Sequence, residues 1–268
     1  MADPKGRLTR GGVTKDLMAG DKESKGRRER LDIELVRRGL APTRARAREA
    51  IEAGKVQVEG VVATKPGQLV DHANRIEAEM AHPWVSRGGL KLDHALRAFG
   101  VDPAGRHCLD LGSSTGGFTE VLLARGARRV VAVDVGVGQL HPRLRSDPRV
   151  ISLESTDARN LDAALLIDPP ELVVCDASFI GLAKLLARPL QLAARTAILV
   201  ALFKPQFEVG PAHVGKGGIV SDVAAVDAAA VALESWLATA GWPVRAWIDS
   251  PITGGDGNRE RLFLARNQ

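Results

Sequence analysis

Cysteine is almost missing from this chain. Two occur among 268 residues, Cys108 and Cys175, each inside an apolar run ("RHCLDL", "LVVCD") with no CxxC and no histidine at ligand spacing. That pattern excludes a disulfide framework and argues against a zinc site; both thiols are expected to be reduced and buried. The six histidines are scattered, so no metal is assigned, and His94 and His107 are read as structural. Long apolar runs are lacking too: "AILVALF" (197–203) stops after seven residues, against the ~20 of a transmembrane helix. The N-terminus is charged, unlike a secretory signal. A folded cytoplasmic protein with no membrane partner is expected, and an apolar content of 45% is ample for a core.

Charge is unevenly placed. Residues 1–81 hold 17 Lys and Arg against 13 Asp and Glu, and residues 82–268 hold 20 against 19. A basic module on a near-neutral body suggests a polyanionic partner, and nucleic acid before membrane, because no apolar insertion face accompanies the charge. A merely solubilising surface is the alternative.

Residues 1–29 have few apolar positions and no period, which fits a disordered extension. From Arg30 the pattern sharpens. Leu31, Leu35 and Val36 fall at helical spacing before Gly39; a second helix has Thr43 as N-cap and stops at Gly54. Val56 and Val58 then alternate with polar residues before the turn-like Glu59–Gly60, so a small hairpin or meander should cover the helices. Arg44 and Arg48 are four apart and share a helix face, with Arg37, Arg38 and Lys55 close in sequence. Such a face suits a phosphate backbone. "RLDIELVRRGLAPTRARAREAIEAGKVQVEGVVATKP" resembles the S4 RNA-binding domain, a small α+β module, and the resemblance implies docking on structured RNA over 30–81.

"AHPWVSRGG", with Pro83 and two glycines, reads as a linker, placed at 82–88. Beyond it, strands are expected at 106–111, 130–134, 150–154, 172–176, 197–203, 244–249 and 261–265, and helices at 89–99, 117–126, 181–194 and 222–240. Strand followed by helix, repeated, is the pattern of an α/β parallel sheet wrapped on both faces. The last two strands have no helix between them and should pair antiparallel. A sheet ending that way over 89–268 resembles the Rossmann-like methyltransferase fold.

"CLDLGSSTGGFTEVLLARG" passes from a strand through Gly112, Gly116 and Gly117 into a helix. Glycines there let backbone approach a ligand at the helix N-terminus, although many such turns use them for packing alone. Asp134, closing "RRVVAVD", is placed to accept from ribose hydroxyls. NAD(P) and S-adenosyl-L-methionine both carry an adenosine, so Asp134 does not separate them. Asp110 suits the ammonium of a methionyl group better than a pyrophosphate, which it would repel. Asp157, after the third strand, would accept from an adenine amino group. Together these residues resemble the S-adenosyl-L-methionine site of methyltransferases, with NAD(P) or an unliganded packing loop as the competing readings.

Charged residues stand where buried strands end: Asp176 after "ELVVC", Lys204 after "AILVALF". Lys91 lies on the helix entering the domain, and Glu260 at the start of the last strand. Singly each has a bland account as a cap, a turn residue or a snorkelling end. Together they resemble the Lys-Asp-Lys-Glu tetrad of FtsJ-type RNA ribose 2′-O-methyltransferases. A ribose hydroxyl is a very weak acid, and free lysine is protonated at pH 7 (reference value ~10.4). Burial beside a second ammonium would yield a neutral amine able to accept the proton. On that expectation Lys204 is the base or steers the hydroxyl, Lys91 tunes and orients it, and Asp176 and Glu260 fix the amines.

"WVSRGGLKL", "DLGSSTGGFTEVLL", "VVAVDVGVGQL", "DASFIGL", "FKPQFEVG", "VGKGGIVSD" and "GNRE", in this order after an S4-like module, resemble the TlyA (hemolysin A-like) family from about Arg30 onward. Ala177 departs from the larger apolar residue expected in that family's "D-x-S-F". The resemblance implies methylation of cytidine ribose in ribosomal RNA, with ribosomal subunits as partner. It implies Lys91, Asp176, Lys204 and Glu260 as catalytic, and Asp110, Gly112, Ser113, Ser114, Gly116, Gly117, Phe118, Asp134 and Asp157 as cofactor-binding. The glycine-rich 206–218 would be a mobile segment near substrate, with Lys216 in reach of phosphate. Rival readings are an RNA-binding assembly factor without catalysis and a cytolysin; the second lacks any long apolar segment.

Overall fold

The computed structural model describes residues 28–268, so the extension expected over 1–29 lies, up to residue 27, outside the described residues. The chain divides between Ala81 and His82 into two compact units.

In the N-terminal unit, β1 (Glu29–Arg30) runs directly into α1 (Leu31–Arg37). Then follow α2 (Arg44–Glu52), β2 (Val56–Val58), β3 (Val61–Val62), β4 (Leu69–Val70) and β5 (Ile76–Ala78). Thr43 caps α2, its hydroxyl accepting from the Arg46 N–H at 3.3 Å. Gly39 and Gly54 take left-handed φ of 70° and 69° just past the two helices. Strands β3-β2-β5 form an antiparallel sheet and β1 pairs with β4. Val56 and Val58 point into a core with Leu31, Leu35 and Ile51, while Gln57 between them is exposed. Glu59 and Gly60 both have positive φ, the primed turn a tight hairpin needs. Glu59 bears that conformation because its carboxylate accepts from Arg75 N–H at 2.8 Å and Asn74 Nδ2 at 3.1 Å.

Among the described residues of this unit two carboxylates are fully buried, and both are held by arginines. Asp32 accepts from Arg30 Nε at 3.0 Å and from Arg44 at 3.1 Å. Glu34 accepts from Arg37 at 2.6 and 2.7 Å and from Arg38 Nε at 2.5 Å. Arg37 above all, with Arg38 and His72, outweighs burial and holds the Glu34 carboxyl down at about 2.

The second unit runs α3 (Gly88–Ala98), β6 (His107–Leu111), α4 (Gly117–Ala124), β7 (Arg129–Val133), α5 (Pro142–Arg145), β8 (Val150–Leu153), β9 (Leu172–Cys175), α6 (Leu182–Leu192), β10 (Ile198–Phe203), α7 (Pro205–Glu208), α8 (Val223–Thr239), β11 (Val244–Asp249) and β12 (Arg261–Arg266). One seven-stranded sheet, ordered β11-β12-β10-β9-β6-β7-β8, carries it. Its ladders are parallel except that β12 lies antiparallel between β10 and β11. Every residue of β10 is buried because both faces are covered: Leu199, Ala201 and Phe203 join the α6/α8 side, and Ile198, Val200 and Leu202 the α3/α4 side. The seven strands and four long helices expected from the sequence all occur, with bounds within two residues. The one-turn helices α5 and α7 were not expected; four residues are too few to show a period. Cys108 and Cys175 are free and buried, and burial pushes both thiols up to about 12.

Residues 82–88 are not a linker. Trp84 and Val85 pack on the α3/α4 core, and the Val85 N–H donates to Glu120 Oε2 at 2.5 Å. A Cβ on Gly89 would stand 2.4 Å from Trp84 Cγ, and one on Gly117 would stand 2.2 Å from Ser86 Oγ. Gly89, one of the two glycines that suggested a break in the chain, is there to admit this segment.

The depressed Glu34 carboxyl gives the N-terminal unit a directed pH dependence. The folded value of about 2 lies below the ~4.3 of an unfolded glutamate, so the stabilisation is complete above about pH 4.5 and lost as pH falls toward 2. Amide spectra of Leu31 and Leu35 followed through an acid titration should show loss of structure in that window. Glu34→Gln should destabilise this unit by about 1–3 kcal/mol at pH 7 and flatten the acid dependence.

Candidate active site

Lys91, Asp176, Lys204 and Glu260, from four separate elements, meet at the carboxyl edge of the sheet. β9 and β10 end side by side with Cys175 opposite Ala201, so Asp176 and Lys204 leave the sheet at the same edge. β12 starts where β10 stops, Arg261 opposite Phe203, which sets Glu260 beside Lys204 in the ladder direction. Lys91 comes from the first turns of α3, whose Gly88 has its Cβ position 3.4 Å from Asp176 Oδ2. Lys91, Lys204 and Glu260 are buried, at 7%, 8% and 4% exposure. Lys91 Nζ donates to Glu260 Oε2 at 2.5 Å. Lys204 Nζ lies 2.7 Å from Asp176 Oδ1, an ion pair outside hydrogen-bond alignment, and donates to Ser178 Oγ at 2.8 Å and the Asp176 carbonyl at 3.4 Å. The quartet lines a cavity of about 510 Å3, which shares Gly112, Ser114, Asp176 and Ser178 with a larger cavity of about 1210 Å3.

The larger cavity opens at the ends of β6, β7 and β8 and is lined by Gly112, Ser114, Asp134 and Asp157 among others. Asp134 accepts from the Ser114 N–H and the Gly136 N–H, each at 2.8 Å, which ties the first loop to the second. Asp157 caps the turn at 158–160 and is paired with Arg159, which holds its carboxyl below the usual range. Ser113, Gly117 and Phe118 line the smaller cavity instead. Gly116 and Asp110 line neither. Gly116, φ 96°, has its Cβ position 2.3 Å from Leu144 Cδ1, and the Cβ position of Gly112 falls 2.8 Å from Ala177 Cα. Packing against neighbouring chain thus requires both glycines. Asp110 is fully buried, accepts from Thr119 Oγ1 at 2.6 Å, and leaves Oδ1 without a partner; burial pushes its carboxyl up to about 7.

In the N-terminal unit the five basic residues expected to face RNA differ in their engagement. Arg38 is tied down by Glu34 and by the carbonyls of Asp71, His72 and Asn74, so it braces α1 against the 71–74 turn. Arg37 and Arg44 reach Glu34 and Asp32 while half of each side chain stays exposed. Lys55 is half exposed, 3.6 Å from Glu79, and Arg48 is exposed with no ion pair among the described residues.

The family model of FtsJ-like methyltransferases matches residues 84–267, and that of the S4 domain residues 29–76. The protein called 16S/23S rRNA (cytidine-2′-O)-methyltransferase TlyA in Mycobacterium tuberculosis is 48% identical over 90% of this chain and 91% of its own. This chain belongs to the TlyA group of FtsJ-like methyltransferases. Hemolysin A of Brachyspira hyodysenteriae is 36% identical over 87% of this chain and 98% of its own. The solved structure of a candidate hemolysin from Streptococcus thermophilus superimposes with a TM-score of 0.72 at 35% identity, covering 90% of this chain and 89% of that one.

The FtsJ-like unit also shows site residues that the sequence reading did not single out. Phe179 is 91% exposed, has a φ of 67°, and stands 5.3 Å ring to ring from Phe207; both line both cavities. Asn258, only 3% exposed, accepts from the Val220 N–H at 2.9 Å and donates to the Gly218 carbonyl at 2.8 Å and Asp256 Oδ2 at 3.0 Å. Asp256 in turn accepts from Gln206 at 2.9 Å. The segment after β10, expected to be mobile, is thereby clasped to the loop that carries Glu260, with Lys216 exposed on it. Gly254 belongs to that clasp, since a Cβ there would stand 2.8 Å from Glu260 Oε1. "DASFIGL" and "GNRE" contain Ser178, Phe179 and Asn258, but nothing in a linear motif says which of its side chains turn inward.

Asn258→Asp keeps the acceptor for Val220 and removes both Nδ2 hydrogen bonds. It should cost about 1–3 kcal/mol, and hydrogen exchange at the Val220 and Gly254 amides should accelerate while the amides of β10 stay protected.

Proposed function

We propose that this protein methylates the ribose 2′-hydroxyl of a cytidine in ribosomal RNA, using S-adenosyl-L-methionine, in the cytoplasm where ribosomal subunits are found. The observation that carries the proposal is the convergence of two buried lysine–carboxylate pairs on a cavity continuous with the one at the β6–β8 edge. Gly112, Ser114, Asp134 and Asp157 would hold the cofactor, and the unpartnered, fully buried Oδ1 of Asp110 beneath that loop suits a nearby cationic group. Bound there, the cofactor supplies an electrophilic sulfonium methyl. Lys204 takes the hydroxyl proton or directs its hydrogen bond, and Lys91, held by Glu260, orients the ribose oxygen. Loss of a proton from Lys204 leaves the quartet with one excess negative charge, which a sulfonium ligand in the adjoining cavity would offset.

The exposed ring of Phe179 is a stacking face for the target base, and its left-handed backbone keeps the ring out of the core. Arg48 and Lys55 serve the S4 unit as backbone contacts. The hemolysin names belong to the relatives that carry them; no helix of the described residues is long and apolar enough to cross a membrane.

Labelled methyl transfer to ribosomal subunits tests this reading. Lys204→Ala should lower the rate by about 100-fold or more with cofactor affinity retained. Wild-type protein that binds cofactor and subunits yet transfers no methyl group would leave only RNA binding. Phe179→Ala should lower kcat/KM by an amount equal to roughly 1–3 kcal/mol.

A further inference from the structure

The ammonium group of Lys204 is bonded to Cε and has three further tetrahedral directions. Ser178 Oγ takes one, accepting at 2.8 Å, and the Asp176 carbonyl takes a second at 3.4 Å, with the Asp176 carboxylate 2.7 Å away as an ion pair outside hydrogen-bond alignment. The third is left for the cavity that Lys204 lines. In the charged amine that direction carries a hydrogen; in the neutral amine, with two hydrogens held by Ser178 and Asp176, it carries the lone pair.

The hydroxyl that selects this rotation is itself located from both sides. Behind it, the backbone of Ala177 lies against Gly112, where a Cβ would approach Ala177 Cα to 2.8 Å. Ahead of it, Phe179 is held at a φ of 67°, a conformation a bulky side chain adopts only when its surroundings impose it. Three residues beyond Phe179, the Leu182 N–H donates to Glu208 Oε1 at 2.8 Å, which ties this turn to α7, the helix that follows Lys204. Ser178 is exposed at the rim of both cavities, so it contributes little to the core. A water molecule replacing its Oγ could accept the same hydrogen but would not be anchored to the strand ends.

We infer that Ser178 is a positioning residue of the methyl-transfer site: its hydroxyl fixes the rotation of the Lys204 amine, so that the lone pair needed to take the ribose proton faces the substrate. The inference rests on the function proposed above for Lys204. It also accounts for a hydroxyl residue next but one to Asp176, since the reaction requires an acceptor there and not a second donor.

Single-turnover methyl transfer to ribosomal subunits, with Lys204→Ala, Ser178→Ala and Ser178→Thr beside the wild type, decides the matter. Ser178→Ala should lower the saturating rate by about tenfold or more, while the half-saturating subunit concentration and the calorimetric cofactor affinity stay within about twofold, as expected of a group acting only on the chemical step. Ser178→Thr retains the acceptor and should recover most of the rate. A wild-type rate for Ser178→Ala overturns the inference, as does a defect confined to subunit or cofactor affinity. So does a Ser178→Thr variant as slow as Ser178→Ala, with both melting well below the wild type, because that is the behaviour of a structural serine. Transfer that survives Lys204→Ala removes the functional reading itself, and the role of Ser178 with it.

Discussion

Two buried ammonium–carboxylate pairs govern the architecture of the methyltransferase unit. A lone ion taken out of water costs several kcal/mol, and removing one partner of a buried pair costs about 3–5 kcal/mol. Lys91 and Lys204 are therefore tenable at 7% and 8% exposure only because Glu260 and Asp176 arrive beside them. Asp176 and Lys204 reach the edge at the ends of parallel strands. Glu260 reaches it because β12 is reversed: an antiparallel strand begins at the edge where its parallel neighbours end. The inverted strand is thus the device by which a residue near the C-terminus of the chain joins the cluster.

Close backbone approach serves the same edge. Gly112, Gly116 and Gly117 bring the first loop against Ala177, Leu144 and Ser86 respectively, and Gly89 admits Trp84. With these contacts made, the loop, the entry segment and the residues after β9 form one wall around the smaller cavity. Asp134 then joins the loop to the next strand's end through two backbone N–H groups. The chain's own contacts thus hold the loop in place, which lowers the ordering cost of binding.

In the S4 unit the excess of basic residues is smaller than it looks. Buried Asp32 and Glu34 engage Arg30, Arg37, Arg38 and Arg44. Those contacts hold α1, α2 and the 71–74 turn in register, and they leave Arg48 and Lys55 as the more available charges of the expected face. One arginine side chain has several donors, so Arg37 and Arg44, half exposed, can brace the fold and still present hydrogens outward.

The order of strands and helices, the antiparallel closing hairpin, the caps at Thr43, Gly39 and Gly54, and the chemical identity of the four candidate site residues were legible from the chain alone. Periodicity, turn chemistry and the oddity of a charge after a buried run are local properties, and local properties survive in a linear reading. Which groups pair was decided only in three dimensions. Nothing linear shows that Lys91 meets Glu260 and not Asp176, that Asp110 turns into the core toward Thr119, that Arg38 braces a turn, or that 82–88 is packed. Nor does it show that Asn258 is buried while Ser178 and Phe179 stand exposed at the cavities. Those outcomes depend on contacts between residues from nine to 169 positions apart, where burial, charge pairing and the absence of a Cβ are settled by whatever the fold happens to set alongside.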